Sequence, residues 1–328
     1  VKPFSDNPAE TVAALGESAL LRAIRGWLGS VTPPSPRGMG DDCAVLDPSG
    51  ASSTLATTDG VVYGRHFDDS AAPAAVGAKL LKRNLSDIAA MGGQPGPALL
   101  NLLLARNTAT AWIEQFYRGL AKTCEKYDVK LVGGDLAQGP DNFLAAHLTL
   151  LGTPGAAILT RTGAQIGDAI FVTGDLGGSI LSKHLDFTPR LPEGQWLAQQ
   201  NGVRGVIDVT DGLAKDLPEI LPPGADARLN VAAPPIAPAA HTLAAKDGRS
   251  ALVHALADGE DYELLFAVDG ELDLKKFASE WQKTFATPLT RIGVIAAAQD
   301  PARDRQLRDE KTGAPLLASG EHGYEHFR

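Results

Sequence analysis

Residues 205–213 read GVIDVTDGL. An apolar, strand-like run ends on Asp208, and a turn then carries Asp211 into a helix start. A carboxylate where a hydrophobic strand ends costs free energy unless something neutralises it. Thr210 and Asp211 are good helix N-caps, and they equally suit a pair of carboxylates aimed into one cleft. Working outward, similar short motifs carry Asp42 in GDDCAVL, Asp59 in ATTDGVV, Asp87 in KRNLSDIAAMGG and Asp135 in LVGGDLAQG. Too few Lys or Arg lie in these motifs to pair with all of these aspartates. Hard divalent cations holding a polyphosphate would neutralise them, and Mg²⁺ favours a few carboxylates plus substrate phosphates. The expectation is a Mg²⁺-dependent ATP enzyme, and it has no P-loop because GxxxxGK[ST] is absent.

The chain has 328 residues, enough for about two domains of ~100–200 residues each. Hydrophobic residues make up 44%, so each can bury a core. The formal charge of −9 argues against nucleic acid and against anionic lipid as partners. Two cysteines, Cys43 and Cys124, exclude a disulfide framework and a Cys-based zinc site, and both read as small core hydrophobes. No signal segment and no apolar run of membrane-spanning length is visible, so the cytoplasm is the expected compartment.

Helices are expected over 11–29, 73–91 and 109–127, with strands at STLATTD, PALLNLLLA, VKLVGGD and FLAAHLTLLGT. A boundary falls near residue 155, giving domains 1–155 and 156–328. The second half alternates again: AIFVTGD a strand, GGSILSKHL a helix, GVIDV a strand, TDGLAKDLPEIL a helix start, then YELLFAV, LDLKKFASEWQKTF and LTRIGVI. Residues 222–240 read as loop and 298–313 as an exposed excursion. Lys79, Arg83 and Asp87 share one helix face at i, i+4 spacing, which reads as a surface ion-pair ladder or as the presentation of Asp87 to a metal. The GGD at 133–135 is either a tight turn or a close approach to phosphate, and GDLGGS at 174–179 reads as a strand-to-helix turn. Glu260 and Asp261 precede an apolar strand as turn residues do, and a lone His66 is more often structural.

In order and spacing, GDD, TTD, NLSDIAAMG, LVGGD, TRTGA, IDVTDGL and GEDYEL resemble the thiamine-monophosphate kinase family, over roughly residues 15–296 plus GYEHF near the end. The resemblance implies an α/β chain of α+β type with the two-domain fold of aminoimidazole ribonucleotide synthetase. Its N-terminal domain dimerises through its sheet, and its C-terminal domain is α/β. The implied substrates are ATP and thiamine monophosphate, with several Mg²⁺ ions and a homodimer. Carried over by motif, Asp42, Thr57, Thr58, Asp59, Asp87, Asp135, Asp208 and Asp211 are implied metal ligands. Gly134, Asp135, Arg161 and Thr210 are implied ATP contacts, and His66 and Glu260 implied substrate contacts. Three positions depart from the family: Thr210 for the usual Ser, Tyr63 for a small or acidic residue, and Glu321 for the aromatic residue that packs on the thiamine. Tyr324 or His322 is then the replacement for that aromatic. Lys79 or Arg65 is expected to add positive charge. The alternatives are a related superfamily enzyme with another acceptor and a non-catalytic nucleotide-binding paralogue.

Overall fold

The computed structural model describes residues 53–317 without interruption, together with 7, 9, 11–28, 33–37, 40–47 and 323–324. The helix expected over 11–29 is broken in two, α1 (Val12–Leu15) and α2 (Glu17–Leu28). Gly16 between them sits at φ 77°, off the right-handed path.

The first sheet holds β1 (Ala44–Leu46), β2 (Thr54–Val62), β3 (Gln94–Leu104), β4 (Leu131–Gln138) and β5 (Leu144–Thr153), in the order β1-β2-β5-β3-β4. β3 and β4 run parallel because a helical crossover joins them; the other pairs are antiparallel. α3 (Pro73–Ala90) lies against β2 and β5 and also against α4 (Thr110–Lys126), which is that crossover. The two helices meet where each has a glycine. A Cβ on Gly119 would lie 1.9 Å from the Ala74 carbonyl oxygen, and one on Gly77 would lie 2.1 Å from that of Phe116. Pro73 opens α3 at its first position, and Gly92, at φ 68°, follows its end.

The second half contains β6 (Ala169–Thr173), α5 (Leu191–Leu197), β7 (Val203–Asp208), α6 (Leu213–Ile220), β8 (Ala225–Leu229), α7 (Pro238–Asp247) and α8 (Ala251–Ala257). They are followed by β9 (Leu264–Val268), α9 (Leu274–Thr284), β10 (Leu289–Ala297) and β11 (Leu307–Asp309). Its sheet runs β11-β8-β10-β6-β9-β7. β6 and β9 are buried throughout, as central strands covered on both faces are. One apolar core runs from Leu80, Phe116 and Leu148 through to Phe171, Phe266 and Trp281, so α3 is packed from both halves of the chain.

Three further expectations change. GGSILSKHL forms only a single 3₁₀ turn, Ser179–Leu181. Gly177 and Gly178, at φ 87° and 74°, fold back on α8 and α7, and their amides are held by the Asp261 and Asp258 carboxylates. The stretch 222–240 contains β8 and the start of α7 rather than loop alone. The polar stretch 298–313 contributes β11, which pairs parallel with β8. There the Arg308 guanidinium closes on the buried Asp226 at 2.7 Å, an ion pair across the sheet that apolar periodicity does not reveal.

Candidate active site

Four segments converge on one cleft of about 790 Å³: the loop before β1, strand β2, the inward face of α3, and the turn after β7. Oxygens of Asp42, Asp87 and Asp208 all lie within 4.8 Å of one another. Asp87 projects from the last turn of α3, and Thr57 on β2 donates to its Oδ2. Asp208 is the last residue of β7, 2% exposed, and its Oδ2 is buried with no hydrogen-bond partner.

Charge is unevenly compensated here. Asp42 pairs with Arg161 at 2.8 Å, Asp59 with Arg83, and Asp211 with Lys215 at 2.7 Å. Asp87 and Asp208 have no cationic partner among the described residues. Burial, then the charge of Asp42, pushes Asp208 up to about 8. Burial, then Asp208, likewise raises Asp87 well above the ordinary carboxylate range. Three converging carboxylates, one with an orphaned buried oxygen, are the donor set that a hard divalent cation takes. Mg²⁺ therefore fits the residues present.

The turn that presents Thr210 and Asp211 is held from behind. Asp216, in the first turn of α6, accepts both of their backbone amides, at 2.9 and 3.0 Å. Asp216 escapes motif reading, although a carboxylate five residues past Asp211 at a helix start is its signal. On β2 the pleat sends alternate side chains to opposite faces. Thr57 faces Asp87, whereas the Thr58 hydroxyl donates to the Leu148 carbonyl on β5 at 3.2 Å.

The other end of the cleft carries His66, Glu260 and Tyr324. Glu260 accepts from Lys79 at 2.7 Å and lies 3.4 Å from both Arg83 and His184. Burial raises its carboxyl, but His184, Lys79 and Arg83 outweigh that and bring it down to about 2. Its backbone sits at φ 64°, and Tyr262 beside it at φ 52°, conformations that L-residues hold only when over-determined. The Tyr262 ring stacks on Phe187 at 3.7 Å, and the Glu260 amide donates to the Thr210 carbonyl at 2.7 Å, which ties the two halves of the cleft together. His66 Nδ1 accepts from the Val62 amide at 3.0 Å. Burial, then Arg83, lowers it to about 4, so the ring is neutral at physiological pH.

Lys79, Arg83 and Asp87 do share one face, yet it is turned into the protein and forms no surface ladder. Lys79 is fully buried, its ammonium held by the His66 carbonyl and Glu260 and lying 3.0 Å from His184 Nδ1. Arg65 lines the cleft and is exposed. Tyr63 lies outside it, its hydroxyl on Asp69 at 2.9 Å. Glu321 and His322 lie outside the described residues. Tyr324 lines the cleft, anchored by its amide on the Asp211 carbonyl at 2.8 Å. Gly134 and Asp135 are not brought to the cleft within one chain. They sit on β4, the sheet's edge, beside a separate shallow pocket with Leu100 and Tyr117.

Residues 40–153 match the family model described as AIR synthase related protein, N-terminal domain. The chain is 39% identical to the thiamine-monophosphate kinase of Rhodopirellula baltica, over 85% of this chain and 89% of that one. It is 33% identical to that of Salmonella typhimurium, over 96% and 99%. Among solved structures, AaThiL complexed with AMPPCP and TMP superposes with a TM-score of 0.79 at 26% identity, over 98% of this chain and 100% of that one.

Proposed function

The chain belongs to the thiamine-monophosphate kinase family, and from that premise we propose that it transfers the γ-phosphoryl group of ATP to the phosphate of thiamine monophosphate. A phosphate oxygen of the acceptor forms the new bond to the γ-phosphorus, the β–γ bridging bond breaks, and ADP and thiamine diphosphate leave. The observation that carries the reading is the surplus of carboxylate at one end of the cleft, which calls for cations and suits a polyphosphate.

Asp42, Asp87 and Asp208 would hold Mg²⁺, with Thr57, Thr58, Asp59 and Asp211 beside them and Arg161 and Thr210 toward ATP. Bound there, the metal would neutralise and align the phosphates. The chain's own part is positioning. Asp216 fixes the Thr210–Asp211 turn, and α3 holds Asp87 against Thr57. A phosphate monoester has its second pKa at about 6, so the nucleophile is largely dianionic at neutral pH and no general base is required. Neutral His66, its Nδ1 already accepting from Val62, agrees with that. We read His66, Glu260 and Tyr324, with Glu321, as the thiamine end.

We also read the protein as a homodimer of two-domain subunits, 1–155 and 156–328, joined through the first sheet. β4 is an edge strand exposed along its whole length, with Val132 63% and Leu136 68% exposed. Such an apolar edge is a hazard unless covered. The dimer accounts for Gly134 and Asp135, which this reading assigns to a cleft completed by a second copy. A reaction fed by ATP, and two unpaired cysteines, favour the cytoplasm.

Purified protein given ATP, Mg²⁺ and thiamine monophosphate is expected to release ADP in step with thiamine diphosphate identified by mass. ADP release that ignores the thiamine compound, or none at all, would overturn the proposal.

A further inference from the structure

Resting on that reading, one cation in the cleft is placed to change partners. Arg83 sits on α3 one turn before Asp87, its side chain 13% exposed and lining the cleft. Its Nε and Nη2 donate to Asp59 Oδ2 and Oδ1, at 2.5 and 2.9 Å, a two-pronged pair that occupies both carboxylate oxygens. Its Nη1 lies 3.4 Å from Glu260 Oε1. Arg83 thus bridges a carboxylate of the metal set and a carboxylate of the acceptor end.

The Gly60 amide also donates to Asp59 Oδ1 at 2.7 Å, so a divalent cation that takes Asp59 must share an oxygen with Arg83, and the two positive charges then repel across it. A guanidinium does not lose its proton, so it cannot adapt by neutralising. Once released it keeps only the long 3.4 Å contact to Glu260, and a poorly paired charge in this largely buried position is costly. Glu260 is already claimed by Lys79 and His184. Lys79 cannot serve as the movable charge, since it is fully buried and held by the His66 carbonyl and Glu260.

We propose that Arg83 is an exchangeable counter-ion. Without metal it neutralises Asp59; when a divalent cation takes Asp59, its guanidinium turns onto the phosphate of the acceptor and becomes the residue that selects a phosphorylated acceptor over an unphosphorylated one. Binding order follows from this: the acceptor's phosphate gains its partner only after metal has entered.

The test uses the full chain with Arg83→Met, which keeps the length and removes the charge, and Arg83→Lys, which keeps the charge and removes the fork. Mn²⁺ is titrated without nucleotide and followed by its electron-spin resonance signal. Arg83→Met is expected to bind Mn²⁺ about tenfold more tightly than wild type, having lost the competitor, and Arg83→Lys to stay near wild type. With Mg²⁺ and AMPPCP present, Arg83→Met is expected to weaken thiamine monophosphate by about 30-fold or more and thiamine less than twofold, with Arg83→Lys between. Unchanged Mn²⁺ affinity in Arg83→Met overturns the exchange. Equal weakening of thiamine and its monophosphate overturns the phosphate role and leaves Arg83 a structural residue. If Arg83→Met does not fold, a full-strength phosphate preference in Arg83→Lys overturns it as well. Wild-type protein that binds neither thiamine compound sinks the phosphate role together with the proposed function, and the Mn²⁺ titration still decides the exchange.

Discussion

Asp208 and Glu263 are buried carboxylates on neighbouring strand ends, and they are opposites. Asp208 pairs in register with Leu264, so Glu263 stands one residue further along and the pleat sends its side chain to the other face. Glu263 is closed off. Arg190 grips both its oxygens at 2.7 Å, Lys183 reaches one at 2.8 Å, and the Thr173 hydroxyl donates to the other at 2.7 Å. Asp208 faces Asp42 and Asp87 with one oxygen unsatisfied. Burial alone therefore does not mark a working carboxylate. What separates the two is whether the protein itself supplies the countercharge.

Substituting the two in parallel gives the sharpest contrast. Asp208→Asn is expected to lower kcat by more than about 100-fold, beyond the loss typical of residues that merely support a metal ligand. Without metal at neutral pH it is expected to melt above wild type, because an amide is neutral without the proton that Asp208 must take up on folding. A metal-free melting temperature below wild type would place Asp208 with Glu263 as a structural group. Glu263→Gln is expected to do the reverse. It leaves Arg190 and Lys183 short of a partner and is expected to destabilise the fold by about 3–5 kcal/mol in urea titration, with kcat of the folded fraction within a few-fold of wild type. A stable variant with lost activity breaks the distinction.

The smallest effect is a pH dependence confined to the Asp208 side. Asp208 is raised from 3.8 to about 8, so between those values the folded chain holds a proton that the unfolded chain releases. Stability from this group is full below about pH 4 and is lost as pH rises toward 8. A divalent cation replaces that proton. The gain in melting temperature from saturating Mg²⁺ is thus expected to be slight at pH 5 and largest near pH 8. His66 and Glu260, lowered to about 4 and about 2, act in the opposite sense, contributing stability above their unfolded values and losing it on acidification. Taking the difference with and without Mg²⁺ removes their part. A gain flat across pH would mean that Mg²⁺ does not bind where Asp208 is.

The strand that carries Asp59, the strand that ends in Asp208, the helix over 73–90 and the acidic motifs were legible because each is local: apolar runs, a proline start, a glycine stop; only the end of the first strand differs, since it runs past Asp59 to Val62. The short elements were not. β8 and β11 hold together through each other and through Arg308 on Asp226, far apart in the chain. The 177–185 stretch reads as helical by composition, and two positive-φ glycines with carboxylates on their amides override that.

By itself, the order of the aspartate motifs determined the family, the mixed α/β fold and the ATP-dependent kinase reading, because residue type and motif spacing are properties of the chain. Only the tertiary structure decided which charges are free to act. Lys79 and Arg83 sit four residues apart on one helix and look equivalent in sequence. The fold buries Lys79 against the His66 carbonyl and Glu260 and seals it, and leaves Arg83 straddling Asp59 and Glu260 at the edge of the cleft. Countercharge comes from whichever residue packs opposite, and packing across a fold is not written in local spacing.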